Sequence, residues 1–240
     1  MNVADYIVKF LSDKGVNSIF MITGGQAMFL NDAVYRDKKI KAIFVHHEQA
    51  AGMAAEAYGR VNGHLGVAMV TAGPGAINVL NGVVGAWVDS APMLVISGQS
   101  SMRNVSYMQK SGIRQRGLQG IDIEPMAKTV TKYFKTLDDP STVKSCLEEA
   151  YFLATTGRKG PVWLEVPMDI QRMEVPIKLL KSFEAPKSFP EVNLESDVKK
   201  VVTLLKKSRR PLLLVGQGIR LGDAEKELDA LIAKLNIPVV

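Results

Sequence analysis

Three clusters in this chain of 240 residues combine reactive side chains with turn-forming neighbours. The first is His46-His47-Glu48, which opens an Ala/Gly-rich stretch, Gln49-Ala50-Ala51-Gly52-Met53-Ala54-Ala55. Small residues there let another helix approach closely and leave Glu48 partly desolvated. A carboxylate so placed can share a proton with a ring nitrogen. Taken alone, Glu48 reads more simply as a first-turn acid that complements the helix dipole. A metal site does not follow: neighbours on an extended segment point to opposite sides, and His64 is the only other histidine.

The second cluster is Thr71-Ala72-Gly73-Pro74-Gly75 with Asn78, and the third is Gly24-Gly25-Gln26. Both lack the G-x-G-x-x-G spacing of dinucleotide sites and the lysine of a P-loop. Each reads either as a tight turn or as backbone brought close to a flat ligand. Gly216-Gln217-Gly218 with Gly222 is one residue too long for the dinucleotide fingerprint. Cys146 falls in the apolar helical pattern of Val143, Leu147 and Ala150, so it reads as a small core residue.

These clusters need a scaffold, and the alternation of periods supplies one. Helical patterns cover residues 3–14, 27–35, 48–62, 76–89 and 141–156; strand patterns cover 18–22, 41–45, 65–70, 93–97 and 161–166. Strands that are apolar on both faces and alternate with helices predict an α/β fold: a doubly wound parallel sheet with helices on both faces. By the rule for such sheets, ligands bind beyond the carboxyl ends of the strands, where all three clusters fall. Residues 99–120 are polar and read as a long loop. Residues 172–195, with Pro176, Pro186 and Pro190 among charges, read as a linker. A helix at 196–207, a strand at 211–215, a helix at 223–235 and residues 237–240 then read as the beginning of a second, Rossmann-like α/β domain, cut short at a strand.

Composition narrows the function classes. With 47% hydrophobic and 22% charged residues the chain reads as a soluble globular protein. No apolar run approaches the roughly 20 residues of a membrane span. The N-terminus lacks a signal-peptide pattern and the single cysteine excludes an internal disulfide framework, which together read as cytoplasmic. Of the net charge of +6, residues 176–210 hold +5, with nine Lys/Arg against four acids. The remainder is close to neutral, which argues against a nucleic-acid surface.

Taken together the turns resemble one family. Gly24-Gly25, His47-Glu48-Gln49-Ala50-Ala51, Glu56-Ala57-Tyr58-Gly59-Arg60 and Thr71-Ala72-Gly73-Pro74-Gly75-Ala76-Ile77-Asn78 look like thiamine-diphosphate enzymes of the acetolactate synthase type. Asp89-Ser90-Ala91-Pro92-Met93-Leu94-Val95-Ile96-Ser97-Gly98-Gln99 and Gly160-Pro161-Val162-Trp163-Leu164-Glu165-Val166-Pro167-Met168-Asp169-Ile170-Gln171 match the same family. The resemblance implies that 1–171 is the pyrimidine-binding domain, 172–195 a linker and 196–240 part of the central domain.

It also implies roles. Glu48 would hydrogen-bond N1′ of the cofactor's aminopyrimidine and so promote formation of the C2 ylid, which attacks a 2-keto acid. Thr23, Thr71, Pro74, Gly75 and Asn78 would line the cofactor; Gly25, Gln26 and Gln119 would face the substrate. Gln26 departs from the small residue usual in acetolactate synthases, and Gly112-Ile113-Arg114-Gln115-Arg116-Gly117 looks more like carboligases of surface-sugar clusters. The resemblance further implies Mg²⁺ held by a C-terminal domain outside these residues, room for FAD in the complete protein, and a homodimer or homotetramer. The Gly-Asp-Gly that would hold the diphosphate is absent, so this chain alone is expected to be inactive. A non-catalytic assembly or regulatory module is the competing class.

Overall fold

A computed structural model of the protein describes residues 1–186 and 193–240, which separate into two compact units, Met1–Glu184 and Ala185–Val240. The expected linker's Pro190, with Lys187 and Glu191, lies outside the described residues.

The first unit is the doubly wound sheet. Its strands are β1 (Ser18–Met21), β2 (Lys41–Phe44), β3 (Gly66–Val70), β4 (Met93–Gln99), β5 (Tyr133–Thr136) and β6 (Pro161–Pro167). All pair in parallel, in the order β2-β1-β3-β4-β6-β5. Every residue of β3, β4 and β6 is buried, because helices cover both faces. One face packs α1 (Val3–Asp13), α2 (Met28–Arg36) and α7 (Val143–Thr155) around Leu11, Leu30, Met69, Ile96 and Leu147. The other packs α3 (Glu48–Asn62), α4 (Pro74–Asp89) and the short α6 (Glu124–Ala127) around Val79, Val83, Val95, Ile123 and Trp163. Cys146 is buried in the first of these cores.

Local chemistry sets the helix ends. Asn2 caps α1 by accepting from the Asp5 N–H at 2.8 Å. Pro74 occupies the first turn of α4, where its missing N–H has no partner to lose.

Two expectations need correction. Residues 99–120 are not a continuous loop, because α5 (Met102–Ser111) occupies their middle. Only Val105 and Met108 of that helix are buried, so its apolar stripe is two residues wide and vanishes among polar neighbours. Gly112 ends it in the left-handed conformation and donates its N–H to Met108 O. The four-residue β5 also escaped the periodicity; it is an edge strand, with Phe134 tilted against Trp163.

Beyond β6, α8 (Met168–Gln171) leads to residues that double back to the start of the chain. Val3 N–H donates to Met173 O at 2.9 Å and Val175 N–H to Met1 O at 3.0 Å. The second unit comprises α9 (Leu194–Lys207), α10 (Gly218–Leu221) and α11 (Glu225–Leu235), none of which buries a residue. The strands expected at 211–215 and 237–240 reduce to a single parallel bridge, Leu213 with Val239, flanked by hydrogen bonds from Leu213 N–H to Pro238 O and Val215 N–H to Val240 O. Among the described residues no third strand lies beside them to extend the ladder.

Candidate active site

The chain leaves β1 outward to β2 and returns on the other side of β1 to form β3. A crevice opens at the carboxyl ends of strands where winding reverses in this way. The register sets Met21 opposite Met69, so the turns that follow β1 and β3 emerge level with each other. Gly24 then lies so close to Thr71 that a side chain at 24 would occupy the place of Thr71 Cβ.

Glu48 arrives from the strand beside them. His47 caps α3 by accepting the Gln49 N–H on Nδ1 at 3.2 Å, which gives that histidine a structural task. Glu48 follows in the first turn, half-buried. Asn78, one turn into α4, donates from Nδ2 to Glu48 Oε2 at 3.0 Å. Glu48 Oε1 accepts no hydrogen bond among the described residues and leans over Gly75, where a Cβ would sit 3.1 Å from it. The same Cβ would lie 2.9 Å from Thr71 Cγ2, so Gly75, Thr71 and Glu48 form one surface.

A second set of contacts joins the first and third turns to a distant segment. Gly73 has φ +60° and ψ −119°, a conformation suited to glycine, and a side chain there would strike the carbonyl of Gln119. Gln26 is 8% exposed and donates from Nε2 to Leu118 O at 3.3 Å. Among the described residues, the buried side-chain oxygens that lack a protein partner include three around these turns, Thr71 Oγ1, Gln26 Oε1 and Asn31 Oδ1. Buried polar atoms normally find partners, so a crevice with three unpaired ones can accept a polar ligand.

The structure thus brings Thr71, Gly75, Asn78 and Glu48 into one cluster, and Gln26 with the backbone of Gln119 into a neighbouring one. Thr23, Gly25 and Pro74 lie exposed on the same turns. The Gln119 side chain is also exposed, and its backbone is left-handed at φ 57°. Among the described residues no group of three or more His, Cys, Asp or Glu could hold a metal.

The sequence places Gln99 and Gln171 at the ends of two family motifs but gives neither a role. Gln171, wholly buried, donates from Nε2 to Gln26 O at 2.7 Å and Val166 O at 2.8 Å, so it anchors the first glycine turn to the end of β6. Gln99 joins the end of β4 to Glu165 and to Ile121 O. Gln99 is the last residue of β4 and Gln171 the last of the short helix after β6, and an amide in such a place can collect the orphan groups of several turns.

Residues 1–126 match the family described as thiamine pyrophosphate enzyme, N-terminal TPP binding domain, and residues 198–240 match its central domain. The acetolactate synthase large subunit of Corynebacterium glutamicum is 34% identical over 246 residues, which cover 100% of this chain and 37% of that protein. The chloroplastic acetolactate synthase of Arabidopsis thaliana is 32% identical, covering 98% and 34%. The large subunit from Haemophilus influenzae is 33% identical, covering 98% and 40%. The chain therefore spans between about a third and two fifths of the length of these relatives. Among the described residues no helix is long and apolar enough to cross a membrane. With the matched family covering the crevice and all three turns that build it, this chain belongs to the thiamine pyrophosphate enzymes, and its relatives are acetolactate synthases.

Proposed function

We propose that residues 1–171 hold the aminopyrimidine end of thiamine diphosphate in a 2-keto acid decarboxylase and carboligase of the acetolactate synthase type. On this reading residues 172–195 connect to a central domain that opens at 196. The observation that carries it is the Glu48–Asn78 hydrogen bond above the bare Cα of Gly75.

The crevice suits a flat ring. Gly75 and Gly24 remove the side chains that would fill it, and Thr71 Oγ1 is a buried hydrogen-bonding atom still to be satisfied. When bound, thiamine diphosphate supplies a nucleophilic carbon and a cationic ring that takes up the electrons released as a 2-keto acid loses CO₂. The protein's task is to hold one proton in place. Asn78 fixes Oε2 of Glu48, which leaves Oε1 to share a proton with N1′ of the pyrimidine. Exclusion of water strengthens that bond, because a hydrogen bond between such groups gains as the local dielectric falls. Gln26 and the backbone of Gln119 form the neighbouring wall, on the side where a substrate would enter.

Water exclusion would come from a second copy of the chain. On α3 and α4 the side chains Met53, Ile77, Val84, Trp87 and Val88 are all more than two fifths exposed, and Ile77, Val84 and Val88 recur at helical spacing. An apolar stripe of this kind next to Glu48 favours a homodimer. Sedimentation of the double variant Val84→Lys, Val88→Lys against the parent checks this: the parent should pair and the variant should not.

Glu48→Gln in the complete enzyme tests the catalytic role. Loss of most pyruvate turnover is expected, since an amide cannot take the proton; turnover near that of the parent would overturn the reading.

A further inference from the structure

Glu165 lies within β6 with 4% of its surface exposed, on the floor of a cavity of about 160 Å³ at the carboxyl ends of β4, β5 and β6. This is the second place where the sheet reverses its winding. The chain passes from β4 to the edge strand β5 with α6 on one face, then returns to β6 with α7 on the other. The cofactor crevice uses only the first reversal, so this one has no assigned role.

The carboxyl stands at the head of a continuous chain of hydrogen bonds. Thr136 donates from Oγ1 to Glu165 Oε2 at 2.9 Å, and Gln99 donates from Nε2 to Glu165 Oε1 at 2.8 Å. The same Gln99 amide donates to Ile121 O at 2.8 Å, and its Oε1 accepts the Ser100 N–H at 2.8 Å. Ile121 lies two residues beyond Gln119, whose carbonyl abuts Gly73, and three beyond Leu118, whose carbonyl takes the Gln26 amide. Both contacts that the distant segment makes with the cofactor turns are therefore tethered through Gln99 to Glu165.

The charges facing the cavity do not neutralise this group. Arg114, Asp122 and Glu124 line it, Glu124 is paired with Lys128, and no ion pair reaches Glu165 among the described residues. Burial, the dominant influence, pushes its carboxyl up to about 7; Thr136 and Gln99 pull it down, and Asp122 and Glu124 add a smaller upward push.

We propose that Glu165 is a positioning residue that couples uptake of one proton to closure of residues 117–122 onto the Gly73 turn. Closure seals the carboxyl beneath Ile121 and α5, whereas opening returns it to water. A proton therefore binds the closed form more tightly, and by linkage the proton favours closure. Ionised Glu165 does accept more strongly from Gln99, which opposes opening. Desolvation outweighs that effect, because the carboxyl is displaced upward despite both donors. The consequence for substrate entry rests on the function proposed above; the proton-linked closure does not.

Hydrogen exchange of the 240-residue chain tests it, read on peptides spanning 117–123 and corrected for the intrinsic pH dependence of exchange. Protection should fall by about tenfold or more between about pH 5.5 and 7.5, then level off. Peptides from β4 should not follow. Glu165→Gln should make the profile flat, since the amide cannot ionise. Thr136→Val should move the midpoint upward, because it removes a donor that favours the ionised form. A flat profile in the parent, or the parent's profile retained in Glu165→Gln, overturns the proposal. If Glu165→Gln does not fold, an unmoved midpoint in Thr136→Val overturns it. Full activity in Glu48→Gln would sink the catalytic reading and leave this profile as it is.

Discussion

Leu94, Ile96, Val162 and Trp163 of the first unit have at most 2% of their surface exposed, whereas Val198, Val201, Leu204 and Leu214 of the second are at least half exposed. The residue types are alike; what differs is the number of layers. A sheet of six strands covered on both faces buries apolar side chains from every direction. Three helices beside one parallel bridge cannot, however amphipathic the longer two are. Exposed ion pairs do not distinguish the units: Lys199–Glu195 and Lys200–Asp197 on α9 and Lys9–Asp13 on α1 all have both side chains more than half exposed, where such pairs contribute little. In the first unit stability is collective, and in the second it is local.

The sharpest way to break this contrast is a matched pair of truncations. Trp163→Ala should cost about 3–5 kcal/mol in urea unfolding, since it empties core and strands the Ser97 hydroxyl that accepts from the indole N–H. Leu204→Ala should change the same transition by less than about 0.5 kcal/mol. Equal costs would mean that the second unit has a core after all.

Next in size is a pH effect. The Glu165 carboxyl is raised from 4.5 to about 7 in the folded chain, so the folded state holds this proton more tightly than the unfolded one. The stability it contributes is complete below about pH 4.5 and is lost as pH rises through about 7. Glu165→Gln should flatten stability over that window, a difference of up to about 3 kcal/mol by pH 8. Glu195→Gln on α9, exposed and paired with Lys199, should leave the curve unchanged. Thermal melts at several pH values distinguish the two.

A smaller effect tests the helix pair that sets Glu48. Gly82 lies against the backbone of Gly52 and Met53, with no room for a methyl group. Gly82→Ala should cost about 1–3 kcal/mol by prying α4 from α3, read from the urea midpoint. The smallest is a comparison of two caps of the same chemistry. Asn2→Ala should lower global stability by about 1 kcal/mol, while Asn193→Ala, which loses a 3.2 Å bond from Ser196 N–H, should lower only the helicity of α9. Circular dichroism and unfolding of both variants would show whether the second unit melts separately.

Much of the first unit was legible. The strands β1, β3, β4 and β6 announced themselves as apolar runs between glycine or proline turns, and the doubly wound class followed from their alternation with helices. What escaped had a weak period. The two-residue stripe of α5 and the four-residue β5 offer too few apolar positions to rise above the surrounding polarity. At the site, Glu48, Thr71, Gly75 and Asn78 were legible as turn residues; the use of each oxygen of Glu48 was not.

By itself the sequence determined local geometry: which segments coil or extend, where glycine and proline stop them, and which reactive residues lie at strand ends. Tertiary structure decided which of those ends meet. Strands that are apolar on both faces carry no mark of their neighbours, so nothing local says that β3 sits beside β1 or that β6 lies between β4 and β5. That ordering joins Asn78 to Glu48 across thirty residues and Gln26 to Leu118 across ninety-two. It also buries Glu165 under an amide and a hydroxyl from two other strands. Its titration near neutrality is a property of enclosure, which no run of neighbouring residues encodes.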